Sequence, residues 1–122
     1  MLKTIIFAIV LANLSGLGVT IGAHRLWSHR SFKARIPLKI LLATCFAFSC
    51  QGSIWMWAAW HPVHHKFAET DGDPHNSTRG FFYSHIGWLF TYDHPKFKKN
   101  LEKIDMSDVE NETFIICSTK RI

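Results

Sequence analysis

The sequence predicts an all-α fold in which one integral membrane helix leads into a cytosolic helical region rich in histidine. Three observations indicate this. Residues 4–23 contain no charged side chain, a basic and acid-free stretch follows at 24–39, and two groups of closely spaced histidines lie beside apolar segments. Twenty helical residues span about 30 Å, the thickness of a bilayer core. The chain is therefore expected to be anchored in a lipid bilayer.

The first apolar segment has two interpretations. A membrane helix at about residues 4–23 would be retained, whereas a signal peptide would be cleaved near Ala23. We favour the retained helix, continuing to about residue 30, because cleavage would leave the first histidines on a free terminus. Basic residues directly after a span mark its cytoplasmic end and suit anionic lipid headgroups. No nucleic-acid-binding pattern accompanies the net charge of +5, so no nucleic-acid partner is expected.

A second apolar stretch covers about residues 38–60. Its length permits one crossing, but a single crossing would place the two histidine groups on opposite sides of the bilayer, about 30 Å apart. If both groups serve one site, the stretch is re-entrant, lies in the interface or packs as an apolar helix. The same reasoning places residues 24–94 in the cytosol. The sequon at Asn76 should then carry no glycan.

The histidines form two motifs, an HxxxxH pair (His24 and His29) and an HxxHH group (His61, His64 and His65). The HxxHH spacing puts three imidazoles on one helical face, where a metal explains them better than packing does. Pro62 predicts a helix that begins just after His61. On a regular α-helix, five residues give about 140° of rotation, so the rings of the HxxxxH pair should splay unless the helix ends there. A polar surface turn with incidental histidines is the alternative.

Three segments carry a resemblance to a known family. They are GAHRLWSHRSFKAR at 22–35, HHKFAETDGDPHN at 64–76 and RGFFYSHIGWL at 79–89. The chain resembles the membrane fatty acyl desaturases, most closely the delta-9 acyl-CoA (stearoyl-CoA) branch. The resemblance covers about residues 4–105, which implies a partial desaturase domain at 1–105 and a divergent tail at 106–122. Such enzymes use a third histidine box that this chain does not contain, so the resemblance implies a fragment that is inactive by itself.

The resemblance also implies a chemistry. Such enzymes introduce a cis double bond into a saturated fatty acyl-CoA, using O2 and electrons passed from NADH through a reductase and cytochrome b5. They are multi-pass proteins of the endoplasmic reticulum membrane with cytosolic histidine boxes. Removing hydrogen from an unactivated alkyl chain needs a redox-active metal, so zinc cannot serve a desaturase. If the chain is not a desaturase, a zinc hydrolase is the rival explanation of the histidines. By resemblance, two iron ions would be bound by His24, His29, His61, His64 and His65.

Other residues have weaker assignments. Gln51, Trp57 and Trp88 match family positions near the acyl tunnel, although the tryptophans could be core or interfacial aromatics. Asp71 and Asp73 could orient the ligating histidines or merely stabilise their turn. His75 is a minor ligand candidate, whereas His85 and His94 are expected to be structural.

The chain departs from the acyl-CoA branch at three places that help bind the polar CoA headgroup. Ala59-Trp60 stands where Arg-Asp is usual, Pro62 where Arg is usual, and Tyr92-Asp93 where a basic pair is usual. These changes put CoA recognition in doubt and leave the metal chemistry untouched. Two alternative functions stay open: a catalytically inactive membrane protein of the same family, and a related histidine-box hydroxylase of alkyl chains or sterols.

Overall fold

The computed structural model describes residues 1–112, and within them the secondary structure is entirely helical, which confirms the predicted fold class. The chain divides into two compact units. The first comprises Met1–Ala58 together with the described residues 109–112, and the second comprises Ala59–Asp108. Part of the predicted tail, residues 113–122, lies outside the described residues. The helices are α1 (Leu2–Leu17), a π-helix (Gly18–Ser28), α2 (Ile36–Ala47), α3 (Ile54–Phe67), α4 (Phe81–His85), α5 (His94–Leu101) and α6 (Ser107–Glu110), with two short 3₁₀ helices at Ser77–Arg79 and Gly87–Leu89.

The first unit begins with a 27-residue apolar helix that consists of α1 and the π-helix without a break. Its most apolar window is only 11% buried within the described residues. Its length and composition suit a membrane span, and its large apolar side chains are exposed along most of α1. Because a signal sequence near the N-terminus has the same properties, the retained span stays a prediction.

Helix α2 packs antiparallel to the C-terminal part of this apolar helix. A Cβ on Gly18 would lie 2.2 Å from the backbone nitrogen of Phe46, and one on Gly22 would lie 3.3 Å from the Cβ of Leu42. Only glycine at position 18 allows the two backbones to approach so closely. With 12 residues, α2 is about 18 Å long, too short to cross a bilayer core of about 30 Å.

The apolar stretch at 38–60, expected to be re-entrant, interfacial or packed as an apolar helix, comprises two helices, because residues 48–53 separate α2 from α3. The prediction that a helix begins just after His61 is wrong. Helix α3 begins at Ile54, and Pro62 lies inside it. The start is set by Ser53, whose hydroxyl accepts a hydrogen bond from the Met56 amide at 3.1 Å, as an N-cap residue does. Pro62 is a weaker start signal than the capped apolar run that begins eight residues earlier, at Ile54.

The second unit is organised by the loop at 68–76, which lies against α5. The side chain of Asn100 donates a hydrogen bond to the carbonyl of Gly72 at 3.3 Å, and a Cβ on Gly72 would meet Asn100 and Phe67 at 3.1 and 3.0 Å. Phe97 of α5 is buried within this unit. The loop is therefore held close to the C-terminal half of α3, which carries the HxxHH group.

Candidate metal centre

The HxxxxH pair comes together because the helix that carries it is a π-helix. Backbone hydrogen bonds there join residues five apart, and the amide of His29 donates to the carbonyl of His24 at 2.9 Å. Residues five apart consequently lie about one turn apart, on the same face. The two Nε2 atoms are 3.1 Å apart, with the ring planes at 87°. The splaying expected of a regular α-helix does not occur.

The HxxHH group supplies a second pair, which an ordinary α-helix brings together. His61 and His65 are four residues apart on α3, and their Nε2 atoms lie 3.0 Å from each other with ring planes at 79°. Two nitrogens that bind one metal at about 2.1 Å and at right angles lie about 3 Å apart. Each of the two pairs therefore has the spacing of two adjacent ligands of one ion, so the residues fit a metal.

His64, the third histidine of the group, is oriented by Asp73. The side chain of Asp73 is fully buried, and its Oδ1 lies 2.8 Å from Nδ1 of His64. An ionised carboxylate only accepts hydrogen bonds, so Nδ1–H of His64 is the donor and Nε2 is the ring nitrogen left to bind a metal. Asp73 also accepts from the amides of His75 at 3.1 Å and Glu69 at 3.2 Å.

His75 lies directly against His64. Their rings are stacked with centroids 4.4 Å apart and planes at 28°, and the opposite neighbour of His75 is Trp88 at 5.2 Å. The pKa of His75 is lowered, first by burial and then by the nearby His64, while Asp73 opposes the change. His64, Asp73 and His75 offer ligand atoms within 4.8 Å of one another. The only signal in the sequence for the contact between His75 and His64 is that His75 follows Asp73 by two residues.

The three residues predicted to lie near the acyl tunnel are divided between the two units. Gln51 and Trp57 belong to the first, where the indole Nε1 donates to Oε1 of Gln51 at 2.9 Å. The Trp57 ring lies edge-on to His24, with centroids 6.0 Å apart. Trp88 belongs to the second unit, where it contacts His75 and lies 5.1 Å from Trp60. Sequence reasoning left these contacts unassigned.

Two of the departures from the acyl-CoA branch contact each other. Nε1 of Trp60 donates to the hydroxyl of Tyr92 at 3.0 Å, and the ring centroids are 5.9 Å apart. Burial raises the pKa of Tyr92, and the hydrogen bond from Trp60 opposes that rise. Tyr92 lines a cavity of about 190 Å³ whose wall also carries Asp93, Arg79 and Lys96. The two aromatic replacements therefore form one coupled pair beside a cavity lined by both acidic and basic side chains.

The remaining candidates stand apart from these groups. The carboxylate of Asp71 is exposed and, within residues 1–112, contacts no histidine, in contrast to Asp73. His85 stacks on Phe81 at 5.3 Å, and His94 lies 6.1 Å from the Tyr92 ring. In the described part of the chain, neither histidine belongs to a group of potential metal ligands.

Comparison with known proteins identifies the family. The fatty acid desaturase family pattern matches residues 3–107. The chain is 51% identical to "Acyl-CoA Delta-9 desaturase" of Acheta domesticus over 98% of its own length and 33% of the relative. It is 53% identical to "Acyl-CoA Delta(11) desaturase" of Choristoneura rosaceana over 88% of its length and 32% of the relative. It is also 49% identical to "Stearoyl-CoA desaturase 2" of Mus musculus over 94% of its length and 32% of the relative.

The match to these relatives confirms the resemblance drawn from the motifs at 22–35, 64–76 and 79–89. The chain spans about a third of the length of the curated relatives it matches. Its matched region contains the π-helical histidine pair, the HxxHH group and the loop at 68–76. The chain belongs to the fatty acid desaturase family.

Proposed function

We propose that this chain is part of an acyl-CoA desaturase that introduces a cis double bond, at the delta-9 position, into a saturated fatty acyl chain. The single observation that carries the proposal is the pairing of imidazole nitrogens, at 3.1 Å in His24 and His29 and at 3.0 Å in His61 and His65, in a member of this family. Its relatives are named as acyl-CoA desaturases, including both delta-9 and delta-11 enzymes.

The proposed metal is iron, in two ions held by His24, His29, His61, His64 and His65. Bound iron would supply the one-electron redox chemistry with oxygen that amino-acid side chains lack and zinc cannot provide. The contribution of this chain is to present imidazole nitrogens in the right state. Asp73 does so for His64 by accepting a hydrogen bond from its Nδ1–H, which would leave Nε2 free to bind the metal. Asp71, which is exposed, is not part of this proposal.

The proposed substrate is a fatty acyl-CoA, and Gln51, Trp57 and Trp88 are the residues proposed to contact its acyl chain. The hydrogen bond between Gln51 and Trp57 fixes the indole plane beside His24, as a wall close to the metal requires. Electrons would come from NADH through a reductase and cytochrome b5. We further propose the endoplasmic reticulum membrane as the location, with the histidine groups on the cytosolic side, and residues 1–105 as the desaturase part of the chain.

The test is a chimera in which this chain replaces the matching third of the Acheta domesticus relative. Membranes containing the chimera receive labelled saturated acyl-CoA, NADH, reductase and cytochrome b5, and the product double bond is located by mass spectrometry. A delta-9 product that disappears with His61→Ala and with His65→Ala, but persists with His85→Ala, supports the proposal. Absence of product from a stably inserted chimera, when the parent relative is active, would contradict it. A hydroxylated product would replace it with the hydroxylase alternative.

Iron content gives the second readout. The chimera and its histidine variants are purified from iron-supplemented cells, and iron per chain is measured together with protein level. Loss of a ligand should lower the iron and leave the protein level unchanged, whereas loss of a packing residue should lower the protein level. Normal iron in both His61→Ala and His65→Ala would show that these histidines are not ligands.

A further inference from the structure

We infer that His75 is a positioning residue, which holds the ring of His64 in its ligand orientation by stacking, and that it is not itself a metal ligand. The inference rests on the proposed role of His64 as a ligand. It assigns a function to a histidine that the motif spacing left outside both groups, and it relies on geometry within the second unit alone.

The first argument is the inclination of the rings. A metal binds imidazole in the ring plane, at about 2.1 Å from the nitrogen. The planes of His64 and His75 are inclined by only 28° with centroids 4.4 Å apart, so they meet several ångströms beyond either ring. One ion cannot lie in both planes at bonding distance. The pairs His24–His29 and His61–His65, at 87° and 79°, do not have this obstacle.

The second argument is that Asp73 joins His75 to His64. The same carboxylate oxygen, Oδ1, accepts the Nδ1 proton of His64 at 2.8 Å and the backbone N–H of His75 at 3.1 Å. The backbone of His75 is thereby held close to the hydrogen-bonded edge of the His64 ring. An imidazole has one remaining rotation about its hydrogen-bonded edge, and a flat neighbour at stacking distance restricts that rotation.

The third argument is that His75 is supported from behind. The ring of Trp88 lies 5.2 Å from it, and Trp60 lies 5.1 Å from Trp88 with perpendicular planes. Nδ1 of His75 is buried and has no hydrogen-bond partner in the described part of the chain, so ring packing rather than a polar contact holds this side chain. The row His64, His75, Trp88 and Trp60 forms a continuous aromatic wall against one proposed ligand.

The test compares His75→Phe, which keeps a flat ring and removes both nitrogens, with His75→Ala, which removes the ring. In the metal-free chain labelled with ¹⁵N-histidine, His64 should show a single Nδ1–H tautomer in the wild type and in His75→Phe. In His75→Ala, its signals should broaden or split. Metal affinity, followed by cobalt(II) absorption, should fall by about 10–100-fold for His75→Ala, as when an outer partner of a ligand is lost, and stay at the wild-type value for His75→Phe.

Other outcomes decide against the inference. Equal loss of metal affinity in His75→Phe and His75→Ala would make His75 a ligand or a hydrogen-bonding group. Unchanged His64 spectra and affinity in His75→Ala would leave it no positioning role. If His75→Phe does not fold, the same aromatic wall can be tested by comparing Trp88→Ala with Trp88→Phe. Only Trp88→Ala should broaden or split the ¹⁵N signals of His64. His85→Ala, at a stacked histidine outside both groups, is the control. Unchanged metal affinity in His64→Ala would instead count against the proposed function, which keeps the two failures separate.

Discussion

Nε2 of His24 lies 3.1 Å from Nε2 of His29, although five residues separate the two along one helix. The i→i+5 hydrogen bonds of the π-helix produce this contact, and an α-helix of the same sequence would turn the two rings about 140° apart. A π segment is intrinsically rare and tends to occur at functional sites. The π-helix contains His24 and is capped at its C-terminus by His29, so this rare backbone conformation lies at the proposed metal site.

The close approach of α2 predicts a large difference between two neighbouring glycines. Gly18→Ala would place a Cβ 2.2 Å from a backbone nitrogen and should lower the free energy of unfolding by about 1–3 kcal/mol, the usual effect of overpacking. Gly16→Ala meets no atom within 4 Å and should leave stability unchanged or slightly raised. Thermal unfolding in detergent micelles, followed by circular dichroism, measures both. Equal stability of the two variants would contradict the observed packing.

The two aspartates of the loop should differ sharply. Asp73→Asn keeps an oxygen for His64 but places an NH2 where the Glu69 amide needs an acceptor. The new NH2, at a fully buried side-chain position, is left unpaired at a cost of about 1–3 kcal/mol. The change should also weaken metal binding by about 10–100-fold. Asp71→Asn, at an exposed position, should change neither quantity. Chemical denaturation and cobalt(II) titration of the two variants side by side provide the measurements.

The pKa of Tyr92 gives a prediction at alkaline pH. Burial raises it above the ordinary value of about 10, so folding favours the neutral phenol. The stability associated with Tyr92 should be complete below about pH 10 and should be lost as the pH rises through the folded-state pKa. Trp60→Phe removes the N–H that favours the phenolate and should raise this pKa further. Absorbance titration at 295 nm measures it, with Tyr92→Phe assigning the signal; a lower pKa in Trp60→Phe would contradict the observed hydrogen bond.

The two sequons that follow the apolar helix, at Asn76 and Asn111, differ as reporters of topology. Asn76 is buried; its amide donates to the Thr70 carbonyl at 2.9 Å, and its Oδ1 accepts from the hydroxyl of Thr78 at 2.7 Å. A folded chain should thus leave Asn76 unmodified on either side of a membrane. Asn111, in the sequon Asn111-Glu112-Thr113, is exposed, and no described helix between residues 29 and 112 has the length and composition of a span.

If residues 24–94 are cytosolic, translation into microsomes should leave Asn111 without a glycan as well. A sequon added ahead of Met1 should be glycosylated, because α1 would carry it to the lumen. Mobility on gels with and without glycosidase measures both, and Asn111→Gln assigns any shift. A glycan on Asn111 in the unaltered chain would place this part of the protein in the lumen and overturn the predicted topology.

The sequence alone determined the helical class and the residue types that can bind a metal, because charge-free length and histidine spacing are local properties. Tertiary structure decided the rest. Packing against α2 accompanies the π-helix that unites His24 with His29, and an i→i+5 register has no clear local signal. Which aspartate meets His64, nine residues away, and which tyrosine meets Trp60, thirty-two residues away, depends on how the loop at 68–76 and α5 fold back on α3. Contacts of that range follow from burial and hydrogen bonding in three dimensions, which no sequence period encodes.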